Sequence, residues 1–529
     1  YLVNNIGGLS QQLKRFKYPK TGRPNSACRV GVVAVPDRWA PASKPPVVTW
    51  LDVPGDPREH YIPRMDWAGG DSGEIVLQQM NRVQNTNKVM LAHPRSGQVR
   101  TLLTEQDKAW VDVHDHLQWL DDGKKCLWLS ERDGWRRVYV VSRSGTPIKA
   151  ITPAGVDVID VAKVDEKNGW LYYLASPQNA TQKYLYRVRL DGGTAQPVTP
   201  LSQKGTHTYD ISPDARWALH TFSTIDTPPV VNLISLPEHK VVRPFVENKQ
   251  LHEKVKALKR RPTEFFRIDI GDGVELDGWC IKPPDFDPSK RYPVLFHVYG
   301  EPAGQTVLDY WSGSTWSGET YLWHQLLAQS GYLVMSVDNR GTPAPRGRDW
   351  RRAVHRQLGI LASKEQAAAV RGILKRWAFV DPGRVGIWGW SGGGSMSLNA
   401  IFREPELYHT AMAVAPCSNE RYYDTIYQER YMGLPRDNPE GYREGSPITH
   451  AHRLKGNLLI VHGTADDNVH YANTEALVNE LIAANKHFTM MAYPNRSHSI
   501  DEGTNTRRHL FGLLTRYLHQ NLPPGAKGK

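Results

Sequence analysis

The sequence predicts two domains: an all-β domain built of propeller blades over 1–257, and a doubly wound, mostly parallel α/β domain over 258–529. Three observations predict it. Upstream, short β-rich runs recur between turn signals at blade-like spacing. Downstream, strand-like and helix-like segments alternate, the pattern of a parallel sheet covered on both faces. Within that second half, a Gly-x-Ser-x-Gly pentapeptide joins an apolar run to a helix-compatible stretch. A chain of 529 residues is also too long for one ordinary core.

From Val30 to about Val246 the runs include Ile75–Met80, Cys126–Ser130, Val138–Val141, Trp170–Leu174, Lys183–Val188 and Trp217–Thr221. Turn signals separate them: Asp121-Asp122-Gly123, Arg143-Ser144-Gly145, Asp191-Gly192-Gly193 and Ser212-Pro213-Asp214. Four-stranded units of roughly 40 to 50 residues are propeller blades, and about four to five fit this span. Val113-His114-Asp115-His116 invites a metal reading, because two histidines on a strand would share a face. No third ligand stands at readable spacing, so a polar blade edge or turn is expected, and no metal. The basic segment Lys254–Arg261, ending at Pro262, reads as the domain boundary.

Beyond it, Tyr292–Tyr299 and Tyr332–Val337 read as buried strands, and Lys364–Trp377 as an Ala-rich helix with apolar residues at helical spacing. Arg384–Trp388 leads into Gly389-Trp390-Ser391-Gly392-Gly393, and small residues continue to Phe402. That context places a serine on a tight strand-to-helix elbow, with glycines permitting the turn and the close approach of helix to strand. By the same geometry the N–H of Gly392 faces the oxyanion of an acyl-transfer intermediate. Thr410–Ala415 follows as another strand. Leu458–Val461 is wholly apolar, as a buried parallel strand is, and runs into a polar loop carrying Asp466 and Asp467. Phe488–Tyr493 ends in a loop with His498. The order Ser, Asp, His is that of α/β-hydrolases. The chemistry requires all three types: an imidazole takes the serine proton, and a carboxylate fixes its tautomer and stabilises the imidazolium.

Gly-Trp-Ser-Gly-Gly, His462–His470 and Tyr427-Gln428-Glu429-Arg430-Tyr431-Met432-Gly433 together resemble the prolyl oligopeptidase family of serine peptidases, and more narrowly its dipeptidyl peptidase IV branch. The likeness is dense from about Pro262 to Leu518, and Trp128–Trp135 is similar to part of that branch's propeller. The resemblance makes Asp466 the acid beside Ser391 and His498, with Asp467 as runner-up. It makes the Tyr299 hydroxyl the second oxyanion donor beside Gly392. It assigns Tyr423, Tyr427 and Val469 to the pocket for the residue before the scissile bond (P1), and Asn468 to the substrate carbonyl. Two positions depart from the branch: Gly392 stands where it has a tyrosine, and Glu420 where it has a pocket tryptophan. Both losses are expected to open the pocket and loosen a strict proline preference.

The implied activity is release of N-terminal dipeptides with Pro or Ala at P1, from peptide substrates and without a cofactor. A broader oligopeptidase, acylaminoacyl peptidase or esterase is the second reading. A silent binding protein is disfavoured, because Ser391, Asp466 and His498 are all present. The resemblance also allows a homodimer through the hydrolase domain and favours a periplasmic, secreted or membrane-anchored setting. It places a glutamate pair, which holds the substrate ammonium, on an early propeller segment. No adjacent Glu-Glu occurs in this chain, which opens on Tyr1, so the pair and the first blades are expected to precede it.

The net charge of +12 is concentrated in Lys254–Arg261 and Arg346–Arg356, with no zinc-finger or RNA-binding signature nearby. A solvated basic surface is expected, not nucleic-acid binding. Cys28, Cys126, Cys280 and Cys417 are scattered, without metal or disulfide spacing, and are expected as buried free thiols. No apolar run approaches the ~20 residues of a membrane span, and no signal peptide is readable.

Overall fold

The computed structural model describes residues 2–5, 10, 12–35, 47–311 and 318–528. Residues 60–246 form four four-stranded antiparallel sheets in sequence order, spanning His60–Gln106, Gln118–Ala150, Val158–Pro197 and Thr206–Val246. Two two-stranded ribbons precede them, Leu2–Asn5 with Gln12–Arg15 and Gly31–Val33 with Val48–Trp50. The inner strands of the middle blades are apolar on both faces, because these blades pack between two others, whereas the fourth blade exposes Leu219 on its outer side. Along Lys125–Ser130, Cys126 and Trp128 join Val89 and Leu91 of the preceding blade, while Leu127 and Leu129 join Leu171 and Tyr173 of the next. Tyr172 and Leu174 then face Ala218 and Ile234 of the fourth. A two-residue side-chain period thus builds a stack of small cores.

His114 and His116 lie in the loop before Gln118, not on a strand, so they share no strand face. His114 is buried, and His116 meets Asp160 at 2.7 Å. Cys28 is exposed, unlike the buried Cys126, Cys280 and Cys417, and lies in the irregular segment between the two ribbons.

The second domain holds eight strands: β1 (Glu264–Asp269), β2 (Glu275–Ile281), β3 (Tyr292–His297), β4 (Leu333–Val337), β5 (Val380–Trp390), β6 (Thr410–Val414), β7 (Asn457–Gly463) and β8 (Thr489–Tyr493). They pair in the order β1-β2-β4-β3-β5-β6-β7-β8. β2 runs antiparallel to its neighbours, and the strands from β4 to β8 are parallel. Alternate residues feed two cores. Val294, Phe296, Ala411 and Ala413 pack with helices Leu361–Arg376 and Gly392–Arg403 on one face. Leu295, Met412 and Val414 pack with helices Gly318–Gln329 and Thr506–Asn521 on the other. Burial on both faces explains why β6 and β7 read as continuous apolar runs.

The two halves are joined by buried polar contacts. Arg351 bridges to Asp157 at 2.6 Å and also to Glu131, while Arg352 reaches Glu131 at 2.8 Å and Asp107 at 3.1 Å. The Arg346–Arg356 cluster is therefore not simply a solvated surface: at Arg351 and Arg352 it neutralises carboxylates of the propeller. Asp309 accepts from Gln182 at 2.8 Å and from the Ile225 N–H at 3.1 Å. The N-terminal segment crosses over as well. Thr21 bonds the Tyr423 carbonyl, the Gly22 N–H donates to Glu429 at 2.8 Å, and Arg82 clamps the same carboxylate at 2.7 Å. Among the described residues no helix is long and apolar enough to cross a membrane.

Candidate active site

β5 ends at Trp390 and a helix starts at Gly392, which leaves Ser391 on the corner with φ 58° and ψ −121°. A non-glycine residue holds such a backbone only where its surroundings impose it. Here the Ser391 N–H is tied to the Val414 carbonyl of β6 at 2.9 Å. The flanking glycines are required by space: a Cβ on Gly389 or Gly393 would stand 2.4 or 2.1 Å from the Val298 oxygen.

The loops after β7 and β8 bring the other two groups to this corner. His498 Nε2 lies 2.9 Å from the Ser391 hydroxyl, and His498 Nδ1 lies 2.7 Å from Asp466 Oδ2. The Trp390 indole donates to the His498 carbonyl at 3.0 Å, tying the histidine loop to the elbow. Asp466 is fully buried, while Asp467 is exposed. With a carboxylate at Nδ1, the imidazole carries its proton there and offers Nε2 to the serine.

A second imidazole, singled out by no feature of the sequence beyond its place in the β7 string, completes the acid's surroundings. His462 Nε2 sits 3.0 Å from Asp466 Oδ2 and 2.8 Å from the Val469 carbonyl, while its Nδ1 faces the Thr474 hydroxyl at 2.7 Å. Two acceptors at Nε2 fix the proton on that nitrogen. The Asn468 N–H donates to the other oxygen, Oδ1, at 2.9 Å. Burial would raise the Asp466 pKa, but the hydrogen bonds from His462 and His498 outweigh it and hold the carboxyl below its ordinary value.

The corner opens into a cavity of about 400 Å³ lined by Tyr299, Glu301, Ser391, Gly392, Tyr423, Tyr427, Gln428, Asn468, Val469 and His498 among others. All nine residues singled out in the sequence except the buried Asp466 therefore line one cavity. Tyr299 follows β3 and hydrogen-bonds Ser391; burial first, then Glu301, keep its phenol protonated by raising its pKa. Gly392 opens its helix, where the first N–H groups have no intrahelical acceptor. Tyr423 and Tyr427 meet edge to face at 5.5 Å, and the Tyr423 hydroxyl donates to Asn468 Oδ1 at 2.7 Å. The Tyr18 hydroxyl donates to the Asn468 carbonyl at 3.0 Å, so the N-terminal segment buttresses this wall.

The expected opening of the pocket is not realised at Gly392. The space a side chain would take is filled by Glu301, whose carboxyl carbon and Oε2 stand 2.8 Å from where the Gly392 Cβ would be. Glu420 does not leave a gap either. It is buried, hydrogen-bonded to the Gln428 amide, and Gln428 lines the cavity in front of it. Among the described residues no group of three His, Cys, Asp or Glu side chains is arranged to hold a metal ion.

Comparison with known proteins agrees with this geometry. Residues 320–524 match the model of the prolyl oligopeptidase family, and residues 3–229 match that of the dipeptidyl peptidase IV N-terminal region. A probable dipeptidyl-aminopeptidase B of Coccidioides posadasii is 32% identical over 507 residues, covering 92% of this chain and 53% of that protein. The chain thus spans about half the length of the curated relatives it matches. The crystal structure of Porphyromonas gingivalis dipeptidyl peptidase 4 superimposes with a TM-score of 0.90 at 34% identity, over 99% of this chain and 71% of that one. A putative dipeptidyl aminopeptidase IV of Bacteroides ovatus gives 0.88 at 27% identity, over 99% and 74%. With a propeller followed by an α/β-hydrolase sheet, an elbow serine bonded to a histidine that is itself bonded to a buried acid, and these matches across both halves, the chain belongs to the prolyl oligopeptidase family, in its dipeptidyl peptidase IV branch.

Proposed function

We propose that the protein is a serine peptidase that releases N-terminal dipeptides, with Pro or Ala at P1, by acyl transfer through Ser391. The observation that carries this reading is the unbroken chain of contacts Ser391–His498–Asp466, at 2.9 and 2.7 Å, opening on one cavity. In this mechanism Ser391 attacks the scissile carbonyl, His498 takes its proton and returns it to the leaving amine, and Asp466 holds the imidazole. The Tyr299 hydroxyl and the Gly392 N–H stabilise the oxyanion. Tyr423, Tyr427 and Val469 receive P1, and Asn468 binds the substrate carbonyl. The propeller domain is assigned to 1–257, and the hydrolase domain, which carries Ser391, Asp466 and His498, to 258–529. The names of the relatives support the dipeptidyl class.

The test is covalent labelling and turnover. Ser391→Ala is expected to lose both fluorophosphonate labelling and hydrolysis while keeping the wild-type circular dichroism. His498→Ala is expected to lose about as much rate, and Asp466→Asn somewhat less, since such groups act as a unit. Full labelling of the Ser391→Ala protein, or a greater loss in Asp467→Asn than in Asp466→Asn, would refute the assignment.

A further inference from the structure

Two carboxyl groups beside Ser391 have no part in the acyl-transfer chemistry. Glu301 lies two residues after Tyr299 on the same loop and lines the cavity, yet is only 7% exposed. The Tyr427 hydroxyl donates to its Oε2 at 2.9 Å, and its Oε1 has no hydrogen-bond partner among the described residues. Glu420 lies one layer deeper, 1% exposed, bonded to the Gln428 side chain. The Gln428 Oε1 is buried and also unpartnered. Among the described residues neither carboxyl is paired with Lys, Arg or His, whereas the buried Glu429 is clamped by Arg82 and Asp466 by two histidines.

That arrangement is costly unless something completes it. Carboxylates withdrawn from water need a cation or several donors, and a pair with neither resists ionisation. Burial pushes Glu301 up to about 7, and burial together with Glu301 pushes Glu420 up to about 8. Glu301 and Gln428 line the cavity together with Gly392 and Tyr427, with the Glu301 carboxyl packed against Gly392, in the part of the cavity assigned to P1. The walls there are the rings of Tyr423 and Tyr427, a surface on which an aliphatic stem packs while its charged end reaches polar partners.

We propose that Glu301, backed by Glu420, determines P1 specificity, and that the pocket takes a P1 side chain ending in a cation, lysine or arginine, in preference to a neutral chain of equal length. The proposal rests on the serine-peptidase reading above and names a substrate class for its pocket. Small P1 residues such as Ala still fit, with Glu301 held by the Tyr427 hydroxyl. A basic P1 residue adds the missing counter-charge and satisfies the open oxygens of Glu301 and Gln428.

The experiment compares kcat/KM of the full chain on fluorogenic Ala-Lys and Ala-Arg substrates with the neutral analogues Ala-norleucine and Ala-citrulline. Lysine is expected to exceed norleucine by at least about tenfold, the scale of one charge-assisted hydrogen bond. Glu301→Gln should bring the lysine-to-norleucine ratio close to one, and Glu420→Gln should lower it by a smaller factor. Phosphonate inhibitors with lysine-like and norleucine-like P1 groups, compared by inactivation rate, provide a second reading that does not depend on a free N-terminal amine. A wild-type ratio at or below one, or an unchanged ratio in Glu301→Gln, overturns the proposal while serine chemistry stands. No labelling by a plain fluorophosphonate and no hydrolysis of any substrate, Ala-Pro included, overturns the underlying peptidase reading and this proposal with it.

Discussion

Asp466 binds two imidazoles through one oxygen, and these bonds hold its carboxyl below the ordinary value against burial. His498 is the partner that also meets the Ser391 hydroxyl; His462 is wholly buried behind it and touches the carboxylate and the Val469 carbonyl. Removing His462 removes one of the two bonds that keep Asp466 ionised against burial, so the Asp466 pKa rises. Activity that needs the ionised acid should then fail at a higher pH than in the wild type. His462→Ala is expected to lower kcat by ~10–100-fold, the equivalent of one hydrogen bond to a charged group, and to move the acid limb of kcat/KM upward. An unchanged pH profile would reduce His462 to packing. Tyr299→Phe removes only a hydroxyl, and is expected to cost ~10²–10³ in kcat with little change in KM, measured at saturating substrate. At this scale Ser391, Asp466 and His498 were legible because each follows a strand-like run and carries a side chain the chemistry demands. His462 and Glu301 were not. Glu301 meets its partners Gly392 and Tyr427 far along the chain, and for His462, only four residues before Asp466, spacing alone does not show that the strand end and the loop bring the two side chains together.

The elbow shows how an element is held by the absence of side chains. Val298, at the end of β3, presses its carbonyl against both Gly389 and Gly393, so strand and helix close on a gap that admits no Cβ. Gly393→Ala is expected to destabilise the protein by ~1–3 kcal/mol, as overpacking does, and to depress activity further by displacing Ser391 and the Val298–Tyr299 loop together. Calorimetric Tm and labelling rate measure the two effects, and an alanine variant with wild-type values of both would contradict the packing argument. The main elements were readable from period and punctuation. The helix expected over Lys364–Trp377 runs Leu361–Arg376, one turn earlier because Ala362 already packs into the core. The outer blade strands were harder: Gln118–Leu120, Ile148–Ala150 and Gln196–Pro197 are two or three residues long, too short to show alternation. The sequence still allowed about four to five blades, close to the four four-stranded sheets observed, because most of their inner strands are apolar runs.

On the scale of the whole molecule, the halves are locked by charge where the sequence suggested a solvated basic patch. The acids that neutralise Arg351 lie some two hundred residues upstream, on loops of a domain whose packing no local pattern describes. Burial alone would raise the Asp157 pKa, but the Arg351 guanidinium and the N–H groups of Arg136 and Gly347 overcome it and hold the carboxyl below its ordinary value. A carboxyl depressed in the folded state stabilises the fold above its unfolded pKa of ~3.9, and loses that contribution as pH falls through the lower folded value. Arg351→Met keeps the length and removes the charge, leaving Asp157 and Glu131 buried without this partner. Breaking one side of such a pair typically costs ~3–5 kcal/mol. In the variant, burial acts on Asp157 with less opposition, so its folded pKa rises and its ionisation opposes folding. The stability difference between wild type and Arg351→Met is therefore expected to be widest near neutral pH and to shrink as Asp157 protonates in acid. Urea unfolding at pH 7 and pH 4 measures it. Limited proteolysis between Val246 and Pro262 should show the same trend, since loosening the contact exposes the segment that joins the halves. A deficit equal at the two pH values would mean that Arg351 holds the domains together by packing, and not by its charge.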